Sequence, residues 1–76
     1  MPRLTFGETV RDFRKLRGFT QETLAEALGV DQALISMWER DTRMPPTKRL
    51  VQLAHVLRVP PSALLDAIHP PVEDAS

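Results

Sequence analysis

The stretch TQETLAEALGVDQALISMWER, residues 20–40, leaves few ways to fold. Leu24, Ala25 and Leu28 recur at the three- and four-residue spacing of an amphipathic helix over residues 21 to 28. Gly29 follows the last periodic residue. A glycine there supplies the left-handed backbone that ends a helix, because it has no Cβ to clash. Val30 can plug the corner. Asp31 can cap a second helix by accepting an N–H from its first turn. In that helix Ile35 and Trp38 share the buried face. Gln32, Ala33, Ser36, Met37 and Arg40 fall on the opposite face.

Two short helices, a tight turn and an outward-facing row of side chains describe a helix-turn-helix. The spacing is demanding. A small residue is needed where the helices cross, and Ala25 stands there. Glycine is needed at the corner, with apolar residues at Leu24, Leu28, Val30, Ile35 and Trp38. On these residues, in the words TQETLAEALGV and ISMWER and a proline after a short loop, the chain resembles the phage repressor and Cro-type helix-turn-helix family. The resemblance runs from about residue 6 to residue 65. It implies an all-α fold, a compact five-helix bundle of the lambda-repressor-like type.

Length and composition agree with one small domain. The 76 residues can bury one core, and 42% apolar content is ordinary for a globular chain. With no cysteine, disulfides and thiolate metal sites are excluded, so packing alone must hold the fold. No apolar run approaches the ~18 residues of a membrane helix, and MPRLTF has no signal-peptide core. A cytoplasmic protein, on the nucleoid when bound to DNA, is expected. Formal net charge is zero, where a nucleic-acid binder is usually basic. The charges are segregated, however. Residues 40–58 carry Arg40, Arg43, Lys48, Arg49 and Arg58 against Asp41 alone, and the acids Asp66, Glu73 and Asp74 gather near the end.

The remaining chain reads as flanking helices. Residues 1–5 form an N-terminal arm, 6–68 the DNA-binding domain and 69–76 a disordered acidic tail. Thr5 and Glu8 have capping-box spacing, opening a first helix over residues 6 to 17. Phe6, Val10 and Phe13 face inward, with Leu16 or the stem of Arg17, and Gly18 ends the helix. Thr20 is the expected N-cap of the second helix. DTRMPP reads as a loop. A fourth helix over residues 47 to 57 carries the stripe Leu50, Leu53, Ala54 and Leu57. A short fifth, over residues 61 to 68, opens on Pro61 and presents Leu64, Leu65 and Ile68. Family members usually have glycine where this chain has Asp41 and Arg58.

Site candidates follow from the outer face of the third helix, whose N-terminal half enters the major groove in this architecture. Gln32 can pair bidentately with adenine, Ala33 can touch a thymine methyl, Ser36 can bond either base type, and Met37 can cover further methyl groups. Leu34 suits either the groove edge or partial burial. Arg40, Arg43 and Lys48 are expected at phosphates, or else as solvated surface. The resemblance adds Gln21 as a phosphate contact. It also adds an Arg14–Glu39 ion pair joining the first and third helices and aiming Arg14 towards phosphate. Trp38 reads as core. His55 and His69 are isolated, with no helix-spaced ligand partner, and read as an exposed helix residue and a helix-end residue. No nucleophile elbow or phosphate-binding glycine loop is present, so neither an enzyme nor a cofactor is expected.

The expected function is sequence-specific binding of double-stranded DNA as a transcriptional regulator, of repressor type, acting as a homodimer on a pseudo-palindromic site. Leu64, Leu65 and Ile68 are the expected dimer contacts, or alternatively close the core. The rival reading is a protein-interaction module, an antitoxin or adaptor, using the same face of the third helix. Asp31, Leu34, Met37 and the neutral charge lean towards it.

Overall fold

The computed structural model describes residues 4–68, including the backbone but not the side chain of Ile68. The tail 69–76 with His69, residues 1–3 of the arm and the Ile68 side chain lie outside the described residues. All regular structure among the described residues is helical: α1 (Phe6–Leu16), α2 (Gln21–Leu28), α3 (Gln32–Glu39), α4 (Thr47–Leu57) and α5 (Pro61–Ile68).

Each helix begins where the local chemistry predicts, with one exception in detail. Thr5 Oγ1 accepts from Glu8 N–H at 3.1 Å while Thr5 N–H donates to Glu8 Oε1 at 2.9 Å, completing the capping box of α1. Thr20 and Thr23 do the same for α2. Asp31 precedes α3 in extended geometry, but its side chain makes no capping bond. The expected position holds and the expected contact does not. The α3 N-terminus therefore keeps free amides.

Four successive helices end in one way. After α1, Phe19 N–H donates to Arg14 O and Gly18 N–H to Lys15 O, both at 3.0 Å. The same pair of bonds closes α2 around Gly29, α3 around Asp41 and α4 around Arg58. This is the Schellman arrangement, and it needs a left-handed residue at each corner. Gly18 and Gly29 have φ of +80° and +71°, and Asp41 and Arg58 both have +61°. Asp41 and Arg58 thus make the same left-handed turn as Gly18 and Gly29.

Compensating contacts accompany both non-glycine corners. Asp41 Oδ1 accepts from Gly7 N–H at 2.8 Å, which places a carboxylate at the positive N-terminus of α1. At the other corner Arg17 Nε donates to Leu57 O at 2.7 Å and Arg17 Nη2 to Arg58 O at 3.2 Å. Arg49 Nη1 likewise donates to Leu28 O, at the end of α2. Guanidinium groups at two helix C-termini satisfy orphan carbonyls and oppose the negative end of the dipole.

The helices pack in a closed cycle, α1 on α3, α3 on α2, α2 on α4, α4 on α5 and α5 on α1. Val10, Leu24, Ile35, Leu53, Leu57 and Leu64 are fully enclosed within it, and Trp38 is 1% exposed. Burying each of the aliphatic side chains contributes roughly 1.5–3 kcal/mol. Trp38 is core, as its register with Ile35 predicts. Leu16 is not: it is 69% exposed. The inward row of α1 is Phe6, Val10 and Arg14, with Phe13 partly covered, and Leu16 falls outside that row. At Gly7 the backbones of α1 and α3 meet. A Cβ there would lie 2.2 Å from Glu39 O and 2.7 Å from Trp38 O.

Candidate nucleic-acid interface

Helix α3 is buried on one side only. Ile35, Trp38 and Glu39 face the core, and Gln32 and Ala33 are exposed. Ser36 and Met37, one turn further along, are half-buried. Positions 32 and 36, and 33 and 37, lie one above the other on a helix, so the four form a single outward patch. Leu34 is half-buried and packs against the core, which favours the packing role over the groove edge.

A chain of hydrogen bonds runs from the interior to that patch. Arg14 Nε donates to Glu39 Oε2 at 2.6 Å and Arg14 Nη2 to Glu39 Oε1 at 3.1 Å. The pair expected from the resemblance is therefore present, bidentate and shielded, with side chains 10% and 4% exposed. Gln21 Nε2 also donates to Glu39 Oε1, at 3.0 Å. Gln21 Oε1 in turn accepts from Gln32 Nε2 at 3.4 Å, a long bond. Gln32 keeps its carbonyl oxygen and one N–H outside this chain. Those are the two groups that a bidentate pairing with adenine requires.

This arrangement bears on the expected role of Arg14. Arg14 is buried, and its third nitrogen, Nη1, donates to Phe19 O at 3.0 Å. All three guanidinium nitrogens donate to protein acceptors, and one N–H on each of Nη1 and Nη2 is left over. Its place is to fix Glu39. Gln21 is half-buried and sits between Glu39 and Gln32.

Beyond α3 the surface turns basic. Arg40 ends the helix and Arg43 lies in the following loop, both exposed, and Lys48 is exposed in the first turn of α4. Thr42 N–H and Oγ1 both bond to Met37 O, at 3.0 and 3.1 Å, which ties the loop back onto α3. Among the described residues the only ion pair is Arg14–Glu39. Arg40, Arg43 and Lys48 are thus without carboxylate partners, while the nearby Asp41 carboxylate is occupied by Gly7 N–H. Neutral overall charge conceals a local cationic loop beside the patch. Against it stand Glu22 and Asp31, both exposed.

Three features of the site carry no signal in residue spacing: the Gln21–Gln32 contact, the Gln21–Glu39 contact and the Asp41–Gly7 bond. Gly7 offers a partial hint. A glycine in an amphipathic helix interior marks a close backbone approach, here to the end of α3. Of the expected dimer contacts, Leu64 is 0% exposed and belongs to its own chain's core. It is therefore not a surface residue. Leu65 is 42% exposed. His55 is exposed on α4, as expected. No group of acidic, histidine or cysteine residues that could hold a metal occurs among the described residues.

The family model described as helix-turn-helix matches residues 10–64. The chain belongs to this family. Among relatives with the same helix-turn-helix, it is 39% identical over 54 residues to the uncharacterized HTH-type transcriptional regulator YazB of Bacillus subtilis (strain 168), covering 71% of this chain and 78% of YazB. It is 40% identical over 62 residues to the HTH-type transcriptional regulator DicA of Escherichia coli (strain K12), covering 82% of this chain but 46% of DicA. Its fold is similar to that of the P22 c2 repressor solved in complex with a synthetic operator, with a TM-score of 0.80 and 32% identity. That match covers 86% of this chain and 98% of the repressor chain. The expected all-α repressor-type helix-turn-helix fold is thus borne out. No helix among the described residues is long and apolar enough to cross a membrane.

Proposed function

We propose that the chain is a sequence-specific DNA-binding transcriptional regulator of the repressor type, reading a pseudo-palindromic operator as a homodimer. The observation that carries this is the outward patch of α3, with Gln32 held by Gln21 and flanked by Arg40, Arg43 and Lys48, cations with no carboxylate partner among the described residues. The P22 c2 repressor, similar over nearly its whole solved length, is itself bound to an operator.

In this reading α3 lies in the major groove. Gln32 pairs with adenine, Ala33 and Met37 contact thymine methyl groups, and Ser36 bonds a base edge. Gln21, Arg40, Arg43 and Lys48 hold phosphates and fix the register. The Gln21 bond orients the Gln32 amide before DNA arrives, so less rotamer entropy is lost on binding. One such helix reads only a few base pairs. Two-fold pairing, with Leu65 on the exposed side of α5 as a contact, sets two of them about one DNA turn apart. Occupancy of the operator then governs access of polymerase, and the protein works on the nucleoid of the cytoplasm. The antitoxin or adaptor reading on the same face is not favoured, because named relatives are transcriptional regulators.

The test is a pair of substitutions assayed on a panel of duplexes. Gln32→Ala is expected to relax preference at one position per half-site by about 1–3 kcal/mol. Arg43→Ala is expected to weaken all sequences alike and reduce the salt slope by about 1. Equal effects of both changes, insensitive to salt, would overturn the DNA reading of this face.

A further inference from the structure

The side of the molecule formed by α2 and α4 carries a groove that the DNA-binding reading does not use. A cavity of about 400 Å³ lies between Ala27 and Leu28 of α2 and Val51, Gln52, His55 and Val56 of α4. Its volume is at the low end of ~300–1,000 Å³ for ligand pockets. Val51 is 49% exposed, although the core-facing stripe of α4 is already complete without it. Val56 also lines a second cavity of about 250 Å³, whose other walls are Arg17, Phe19 and Arg58. The two cavities therefore abut across Val56, one mainly apolar with Gln52 and His55 among its walls, the other dibasic.

The electrostatics of this groove have one sign. Among the described residues no carboxylate lines either cavity, and α4 contains no acidic residue. Neither Arg17 nor Arg58 takes part in an ion pair among the described residues. An acidic group at the end of α4 would ordinarily meet the negative end of the helix dipole. Here Arg17 covers the Leu57 and Arg58 carbonyls and reverses that sign. Arg17 and Arg58 thus set two cations side by side at the end of α4, next to Val56.

We propose that this groove is a docking site for an amphipathic, acidic segment of a partner protein. The segment's apolar side chains enter the cavity beside Val51 and Val56, and its carboxylates reach Arg17 and Arg58. Val51 and Arg58 are seven residues apart on and just after α4, about 10 Å along the axis at 1.5 Å per residue. A helical segment would match that distance with an apolar residue and an Asp or Glu about two turns away, the helix-in-groove mode of recognition. The apolar wall favours a protein over a phosphate backbone. None of the lining residues belongs to α3, so the partner and DNA occupy surfaces built from different residues.

The test is selection of random dodecapeptides displayed on phage against the full chain, with two variants as counter-targets. Val51→Glu places a charge at an exposed position. Arg58→Asn removes a cation while keeping a residue that tolerates the left-handed turn. Circular dichroism checks that both variants are folded. The expected result is enrichment of peptides combining apolar and acidic residues, which bind both variants roughly tenfold or more weakly. Operator affinity of the variants stays unchanged, so a failure here is distinguishable from failure of the DNA reading. Lack of enrichment, enriched peptides without acidic residues, or binding to either variant as tight as to the unsubstituted chain would overturn the proposal.

Discussion

Replacing Glu39 with alanine strands a buried charge, and the cost can be worked from the geometry. The Arg14 and Glu39 side chains are 10% and 4% exposed, so little water is available to take the carboxylate's place. Glu39→Ala removes both acceptors of the bidentate pair at 2.6 and 3.1 Å and leaves Arg14 with only Phe19 O. It also deprives Gln21 Nε2 of its acceptor. Breaking a buried pair from one side costs about 3–5 kcal/mol. A chain of this length has a total stability of roughly 4–11 kcal/mol, at about 0.05–0.15 kcal/mol per residue. The single change should therefore remove a large share of the stability and lower Tm by roughly 12–40 °C. Urea unfolding followed by circular dichroism measures it, with the m-value expected to hold. The double variant Arg14→Met/Glu39→Leu removes both charges together and should recover most of the loss. A single-variant loss below about 1 kcal/mol, or a double variant as unstable as Glu39→Ala, would refute the reasoning.

Other substitutions test the packing and the turns. Gly7→Ala should destabilise by at least about 2 kcal/mol despite alanine's higher helix propensity, because its Cβ would meet the Glu39 and Trp38 carbonyls, which are backbone and cannot swing away; urea unfolding within about 0.5 kcal/mol of wild type would contradict this. Arg58→Gly should be neutral or stabilise by up to about 1 kcal/mol, since glycine relieves a left-handed residue at φ +61°. Asp41→Gly relieves the same φ but loses the bond to Gly7 N–H, and should cost about 0.5–1 kcal/mol net. Thermal melts that rank these two glycine variants in the opposite order would show that the Asp41 cap contributes little.

The residues that determine the helices could be read directly, because their effects are local. Thr5 with Glu8, Thr20, Gly18 and Gly29 act within one turn of their own positions, and each appears in the structure where the spacing puts it. The rows Leu50, Leu53, Ala54, Leu57 and Ile35, Trp38 follow from periodicity alone. The turns at Asp41 and Arg58 were harder, since the groups that stabilise them come from distant segments, Gly7 and Arg17. At the end of α1 periodicity left Leu16 and the stem of Arg17 as alternatives; Leu16 is exposed, and Arg17 reaches the α4 carbonyls. Asp31 was correctly placed before α3, yet residue type does not dictate whether a cap side chain turns inward.

The site was legible to a similar depth. The outward patch Gln32, Ala33, Ser36 and Met37 is the complement of the buried stripe, so its composition follows from the same periodicity. The Arg14–Glu39 pair came from the family resemblance, and the structure adds that all three guanidinium nitrogens donate to protein acceptors. The bonds from Glu39 to Gln21 and on to Gln32 join three residues from two helices at one crossing. Only the three-dimensional arrangement of α2 and α3 brings them together.

The central claim is that α3 reads DNA with two-fold symmetry. Its most direct test is selection of bound sequences from a randomised duplex library, repeated at low and high salt. The account predicts an enriched, two-fold symmetric motif with half-sites one helical turn apart, and an affinity that falls steeply with salt as the basic loop releases counterions. Absence of any enriched motif, with only weak binding at low salt, would contradict it.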